Sequence, residues 1–236
     1  QKVRVLILAP TRELAMQTEE VCRAAGAVCG VGSVCIYGGV PKGPQKQALR
    51  EGARVVVATP GRLLDLAQEG ALSLGGVDYL VLDEADRMLD MGFEKDVRAI
   101  ISQTPAARRT VMFTATWPES IRALAEEFLR DPVRVSIGSQ ELTANHRVTQ
   151  HVEVVEQHHK EARLPQLLTK YAKELQGAGK VKGADHRVII FALYKKEAAR
   201  VEQTLQRQGH RALAIHGDMT QEQRTRALGA FKEGST

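Results

Sequence analysis

An α/β fold built on parallel sheets is what this sequence predicts, on three observations. Short apolar runs alternate with amphipathic helical runs along almost the whole chain. Runs such as Tyr79–Leu82 are continuously apolar, as strands covered on both faces require. Polar motifs then sit where strands give way to helices, the end of the strand at which open α/β sheets bind ligands.

Taken in order, strands are expected at 3–9, 34–37, 54–58, 79–83, 110–114 and 133–137. Helices fall between them, for example at 13–25, where Thr11 can serve as the cap, at 62–68, and at 119–129 after Pro118. Residues 138–147 lose periodicity and gather Gly, Ser, Gln, Thr and Asn, so they read as a linker. A second alternating set follows, with strands at 149–155, 187–191 and 211–215 and helices at 160–175, 195–208 and 221–232. Residues 177–185 form a Gly/Lys-rich loop within it. Two domains are therefore expected, 1–137 and 148–236.

With 236 residues, 43% of them apolar, the chain can bury a real core, and aromatics at 4% leave Val, Leu, Ile and Ala to supply it. The net charge of +5 permits a polyanionic partner, yet 33 basic against 28 acidic residues is also an ordinary soluble surface. Cys22, Cys29 and Cys35 form no Cys-x-x-Cys pair and are expected reduced and largely buried, in a reducing compartment. His158 and His159 open a polar helix start, where solvation suits them better than a metal. No apolar run reaches membrane-spanning length and no signal peptide is visible, so an intracellular soluble protein is expected. The chain starts at Gln1, enters a strand within two residues and stops soon after a helical run, so both ends are expected to lie inside a longer protein.

The most informative motif is Val81-Leu82-Asp83-Glu84-Ala85-Asp86, an apolar strand running into three carboxylates. One acid there can hold Mg²⁺ through its water shell while a second orients an attacking water. The bland alternative is a helix cap with acids in the first turn. Pro10-Thr11-Arg12-Glu13-Leu14, Gly38-Gly39 and Thr59-Pro60-Gly61-Arg62 follow the first three strands. Each offers a hydroxyl, a close backbone approach or a guanidinium to a phosphate, and each could equally be a plain turn or cap. Three such loops on one sheet edge beside a carboxylate cluster suggest a track for a polymeric phosphate. Thr114-Ala115-Thr116 follows the fifth strand and can hydrogen-bond Asp86, with capping of the next helix as the bland alternative.

In this order and at these spacings the motifs resemble those of the DEAD-box RNA helicases, a likeness that covers essentially the whole chain. Thr114–Thr116 stands where that family usually has Ser-Ala-Thr. In the second half, 188–191 with Ala192-Leu193-Tyr194-Lys195, and His216-Gly217-Asp218 with Gln221 and Arg224, resemble the family's second-domain motifs. The resemblance implies two RecA-like domains, both incomplete here. It implies an ATP- and Mg²⁺-dependent enzyme in which Asp83 holds the metal through water, Glu84 positions the hydrolytic water, and Asp86 couples to Thr114 and Thr116. Thr11, Arg12, Gly38, Gly39, Thr59, Gly61, Arg62, Gln221 and Arg224 would bind the RNA backbone, with little base specificity. The variants Phe-Thr-Ala-Thr-Trp-Pro at 113–118 and Phe-Ala-Leu-Tyr-Lys at 191–195 resemble the nucleolar, ribosome-assembly branch. That branch implies pre-rRNA as substrate, pre-ribosomal proteins as neighbours, a nuclear location and a monomer with no membrane partner.

Departures from the family pattern qualify this. No Gly-x-x-x-x-Gly-Lys-Ser/Thr occurs, and Gly177-Ala178-Gly179-Lys180 lacks the leading strand and the following hydroxyl. The adenine-reading segment and the late motifs of the second domain are also missing, so this stretch alone is expected to be inactive and poorly soluble or partly molten. A non-catalytic RNA-binding module is the rival reading, opposed by the intact Asp83-Glu84 pair. A DNA-directed translocase is a third, opposed by the Asp-Glu-Ala-Asp and Thr-Pro-Gly-Arg motifs.

Overall fold

The computed structural model describes residues 2–137, 148–177 and 187–234. The chain divides into two compact units, Gln1–Val133 and Arg134–Thr236. The first is a five-stranded parallel sheet with strand order β2-β3-β1-β4-β5. Its elements run β1 (Val5–Leu8), α1 (Arg12–Cys29), β2 (Ser33–Ile36), α2 (Lys42–Arg50), β3 (Val55–Ala58), α3 (Pro60–Gln68), β4 (Tyr79–Leu82), α4 (Ala85–Asp90), α5 (Glu94–Ile101), β5 (Arg109–Met112) and α6 (Glu119–Phe128).

Side-chain alternation divides the strands between two faces. Leu6, Leu8, Ile36, Val56, Leu80 and Leu82 pack with Leu63, Leu66, Val97, Ile100 and Ile121 in the main core. Val57, with Ala9 and Ala15, forms the smaller cluster on the other face, where Ile7, Cys35 and Leu14 pack against it. Each fully buried Leu or Ile contributes about 1.5–3 kcal/mol, so the main core fixes the register.

That register is level. Leu8 pairs with Ala58 and with Leu82, Ala58 with Ile36, and Leu82 with Met112. The last residues of all five strands, Ile36, Ala58, Leu8, Leu82 and Met112, therefore form one row across the sheet. At a strand spacing near 4.8 Å the row spans about 19 Å. The loops that leave it begin side by side. Thr11 caps α1, its hydroxyl accepting from Leu14 N at 3.3 Å, and Pro60 opens α3 at its first turn, where its missing N–H costs nothing.

The second unit contains a 3₁₀ turn at Gln157–His159 and three helices among the described residues, α7 (Lys160–Gly177), α8 (Lys195–Arg207) and α9 (Gln221–Glu233). Thr220 and Gln223 close a reciprocal capping box at the start of α9. The strands expected at 149–155, 187–191 and 211–215 have no ladder partner among the described residues, and neither does 133–137 in the chain just before them. The physical reason is that apolar runs favour extended backbone, whereas a strand exists only where a neighbour accepts its hydrogen bonds. Phe191 is 93% exposed, and Val188, Ile189 and Leu193 are exposed with it. The expected linker at 138–147, and the loop expected at 177–185 beyond its first residue, lie outside the described residues.

Candidate functional site

The carboxyl edge of the first sheet sorts the motifs by chemistry. From one side to the other the row is followed by Gly38-Gly39 after β2, Thr59-Pro60-Gly61-Arg62 after β3, and Thr11-Arg12 after β1. Asp83, Glu84 and Asp86 then follow β4, and Thr114 and Thr116 follow β5. Loops suited to phosphates occupy one half of the edge, and carboxylates with hydroxyls occupy the other.

On the carboxylate half, backbone pairing fixes the turn. Asp83 N donates to Leu8 O at 2.9 Å, Phe113 N to Leu82 O at 2.8 Å, and Ala85 N to Phe113 O at 3.0 Å. Between these anchored peptides Glu84 adopts φ 48, ψ 54, a left-handed conformation that a side-chain-bearing residue holds only when its surroundings impose it. Glu84 makes no side-chain cap to α4, so the bland capping reading does not account for it. Among the described residues neither the Asp83 nor the Glu84 carboxylate is tied up in a side-chain hydrogen bond or ion pair. No group of three or more His, Cys, Asp or Glu side chains among the described residues could cage a metal. A strand-end carboxylate such as Asp83 instead fits Mg²⁺ that keeps its waters and is carried on nucleotide phosphates.

Asp86 is bound across to the β5 loop. Its Oδ2 accepts from Thr116 N at 2.9 Å and from Thr116 Oγ1 at 2.8 Å, and its Oδ1 from Arg87 N at 3.0 Å. Burial alone would raise the carboxyl pKa, but donation from Thr116 and Arg87 outweighs it and holds the group below its ordinary value. Thr114 Oγ1 also donates to Thr116 O at 3.0 Å, tightening the loop. Neither threonine caps the following helix, whose cap position is Pro118 without a side-chain bond.

On the phosphate half, the Arg12 guanidinium lies against Gly38-Gly39, where a Cβ on Gly39 would stand 2.8 Å from Arg12 Cζ. Gly39 has φ 80, so both its conformation and its lack of a side chain are used. Arg62 is engaged as well. Its side chain is only 12% exposed, Nη1 donates to Val40 O at 3.0 Å, and Nε lies 3.7 Å from Asp65. Thr59 is buried at the start of α3, and Gly61 occupies its first turn.

Gln221 and Arg224 lie on α9 of the second unit, where Gln221 is 5% exposed. Two residues on the phosphate half escape a sequence reading. Gln45 of α2 is buried, its Oε1 accepting from Tyr37 N at 3.3 Å and its Nε2 donating to Tyr37 O at 3.0 Å. Lys42, at the start of the same helix, pairs with Asp65 at 2.7 Å and Glu69 at 2.6 Å on α3. A lone Gln or Lys on a helix carries no signal of such roles, because their partners are distant in sequence.

The cysteines correct one expectation. Cys29 is exposed in the last turn of α1, while Cys22 and Cys35 are half-buried between α1 and the sheet. The face of α1 ends before Cys29, so apolar character alone did not bury it. Burial and the Glu19 carboxylate push the Cys35 thiol up to about 12.

Comparison with known proteins gives one answer. The DEAD/DEAH box helicase family model matches residues 1–124, and the helicase conserved C-terminal domain model matches 163–236. The chain is 53% identical over 233 residues to DEAD-box ATP-dependent RNA helicase 5 of Oryza sativa subsp. japonica, covering 98% of this chain and 44% of that protein. It is 54% identical over 234 residues to ATP-dependent RNA helicase DBP3 of Kluyveromyces lactis, covering 98% and 45%. It is 52% identical over 236 residues to the Saccharomyces cerevisiae protein of the same name, covering 99% and 44%. The chain thus spans less than half the length of these relatives.

Proposed function

The chain belongs to the DEAD/DEAH box helicase family, and from that premise we propose that it is part of an ATP-dependent RNA helicase that couples ATP hydrolysis to local separation of RNA duplexes. Its two matched segments are RecA-like domains. We take 1–137 and 148–236 as the two domains and 138–147 as their linker. The observation that carries the proposal is the sorted sheet edge, with phosphate-suited loops after β2, β3 and β1 and carboxylates after β4. A non-catalytic RNA-binding module would have no use for the second half of that edge.

In this reading Thr11, Arg12, Gly38, Gly39, Thr59, Gly61 and Arg62 hold the RNA backbone through phosphate and ribose, assisted by Gln221 and Arg224 of the second unit. Arg62, already bonded to Val40 O, acts partly by shaping the Gly38–Gly39 turn. Glu84 positions the hydrolytic water, its carboxylate presented by the left-handed turn rather than spent on a cap. Asp83 would hold Mg²⁺ through its water shell, and the metal would supply positive charge against that of the nucleotide phosphates. Asp86 and Thr116 tie the carboxylate turn to the β5 loop, so displacement of one moves the other. The relatives' names, both of ATP-dependent RNA helicases, support ATP as the nucleotide and RNA as the substrate. The nucleolar-type motifs at 113–118 and 191–195 support work on pre-rRNA beside pre-ribosomal proteins in the nucleus. Among the described residues no helix is long and apolar enough to cross a membrane.

No Gly-x-x-x-x-Gly-Lys-Ser/Thr segment occurs in the 236 residues, so hydrolysis is proposed to need a phosphate-binding segment supplied in addition. RNA-stimulated ATP hydrolysis tests this, using the chain alone and the chain fused between the corresponding upstream and downstream segments of the rice relative. Turnover is expected only in the fusion, falling by roughly 10²–10⁴-fold with Glu84→Gln. Turnover by the chain alone, or turnover indifferent to Glu84→Gln, would overturn the assignment. Matched RNA and DNA strands separate the helicase from a DNA translocase through the ribose hydroxyls.

A further inference from the structure

The Gly38-Gly39 turn is braced from several directions, by Arg62 of the Thr-Pro-Gly-Arg motif and by side chains that no sequence motif marks. Behind it, at the exit of β2, buried Gln45 pairs with both backbone groups of Tyr37, at 3.3 and 3.0 Å. Ahead of it, Arg62 donates to Val40 O. Two residues further on, Lys42 Nζ reaches Asp65 at 2.7 Å and Glu69 at 2.6 Å, and Lys46 reaches Glu69 at 2.6 Å. These pairs lock the start of α2 to α3, the helix that opens with Thr-Pro-Gly-Arg. Lys42 holds the Glu69 carboxyl down to about 2, with Lys46 assisting.

We propose that Gln45 and the Lys42–Asp65 pair are positioning residues that fix the Gly38-Gly39 turn, and its spacing from Thr59–Arg62, for the backbone of a single RNA strand. The proposal rests on the helicase reading above. A chemical reason favours such bracing. The turn binds through backbone approach at a glycine of positive φ, so it has no side chain with which to adapt. Affinity then depends on the turn being set before RNA arrives, because ordering it on binding costs free energy. Lys42 serves by holding α3 in place, its charge already committed to two carboxylates rather than offered to phosphate.

The test uses the 236-residue chain and a dye-labelled ten-nucleotide uridine RNA, with binding followed by anisotropy across a range of salt. Gln45→Met, close in volume and without donor or acceptor, is expected to weaken binding about tenfold. Lys42→Ala is expected to weaken it roughly threefold to fivefold, in keeping with a half-exposed charge network. Asp65→Asn loosens the same bracing from the α3 side and is expected to weaken binding by about threefold although it leaves the Lys42 charge in place. A direct phosphate contact by Lys42 would behave differently. Its loss would reduce the slope of log affinity against log salt by about 0.7, and Asp65→Asn, by freeing the Lys42 ammonium, would leave binding unchanged or tighter. That result overturns the proposal, as does unchanged affinity in all three variants. Should Gln45→Met melt at the assay temperature, Lys42→Ala and Asp65→Asn at the surface pair still decide the outcome. Failure of the parent reading looks different again: wild type does not bind, or Arg12→Ala binds as tightly as wild type.

Discussion

Glu84 offers a measurement in which backbone and side chain give opposite answers. Its φ of 48 places an L-residue in the left-handed region, at a cost of about 1–2 kcal/mol relative to ordinary helical backbone. Glycine adopts that conformation freely but gains about 0.4–1 kcal/mol of freedom in the unfolded chain. At the midpoints of these ranges, the balance for Glu84→Gly over Glu84→Ala is a net stabilisation of about 0.8 kcal/mol. The alanine variant is the right reference because Glu84 makes no side-chain cap whose loss would confuse the comparison. For a chain of this size, that difference is expected to raise the melting temperature by about 2–3 °C. Calorimetry of the two variants side by side is the assay. Both variants lack the carboxylate, so neither is expected to support ATP hydrolysis in the fused chain described above. A glycine variant that melts at or below the alanine variant would refute the reasoning, and would mean that the turn is not strained against its anchors at Leu8 O and Phe113 O.

Other consequences are as open to measurement. Thr116→Val removes one donor from Asp86, whose pKa should rise towards or above its ordinary 3.8, read by carboxyl carbon NMR titration. Because the folded pKa is lowered, Asp86 contributes stability above its unfolded pKa and loses it as pH falls through the folded value. The stability gap between wild type and Thr116→Val should therefore be full at neutral pH and shrink below about pH 4. Gly39→Ala forces a side chain into a φ of 80 and against Arg12, and is expected to cost about 1–2 kcal/mol in denaturant melts while weakening RNA binding. Iodoacetamide at pH 8 should label exposed Cys29 first. Cys35, with its thiol pushed up to about 12, should resist until the chain unfolds.

The first sheet was legible because its strands are buried and apolar, and burial writes itself into composition. The expected 79–83 and the observed Tyr79–Leu82 differ by a single residue. Helix α1 extends beyond the expected 13–25 to Arg12–Cys29, because Gly26 is kept inside it where it packs closely against Val31 O. The second unit was less legible. Its runs at 187–191 and 211–215 carry strand-like side chains, but pairing is a property of two segments and cannot be read from one. The same limit hid Gln45, whose partner is backbone, and Lys42, whose partners lie 23 and 27 residues away. Motif residues were visible because their chemistry is local to a strand end. Residues that merely hold those ends were not.

The single row formed by Ile36, Ala58, Leu8, Leu82 and Met112 also bears on how such a chain can change by mutation. Insertions within the loops leave the row untouched, and substitutions in the core are tolerated while volume is kept. Deleting one residue from a strand is different in kind. It turns every following side chain to the opposite face and drops that strand's loop one step out of line with its neighbours. In β4 the change would carry Asp83 into the row in place of Leu82, set Glu84 where Asp83 stood and leave Ala85 at the position of Glu84. Lengths of the strands are thus bound more tightly than their sequences, and the loops are where variety can accumulate.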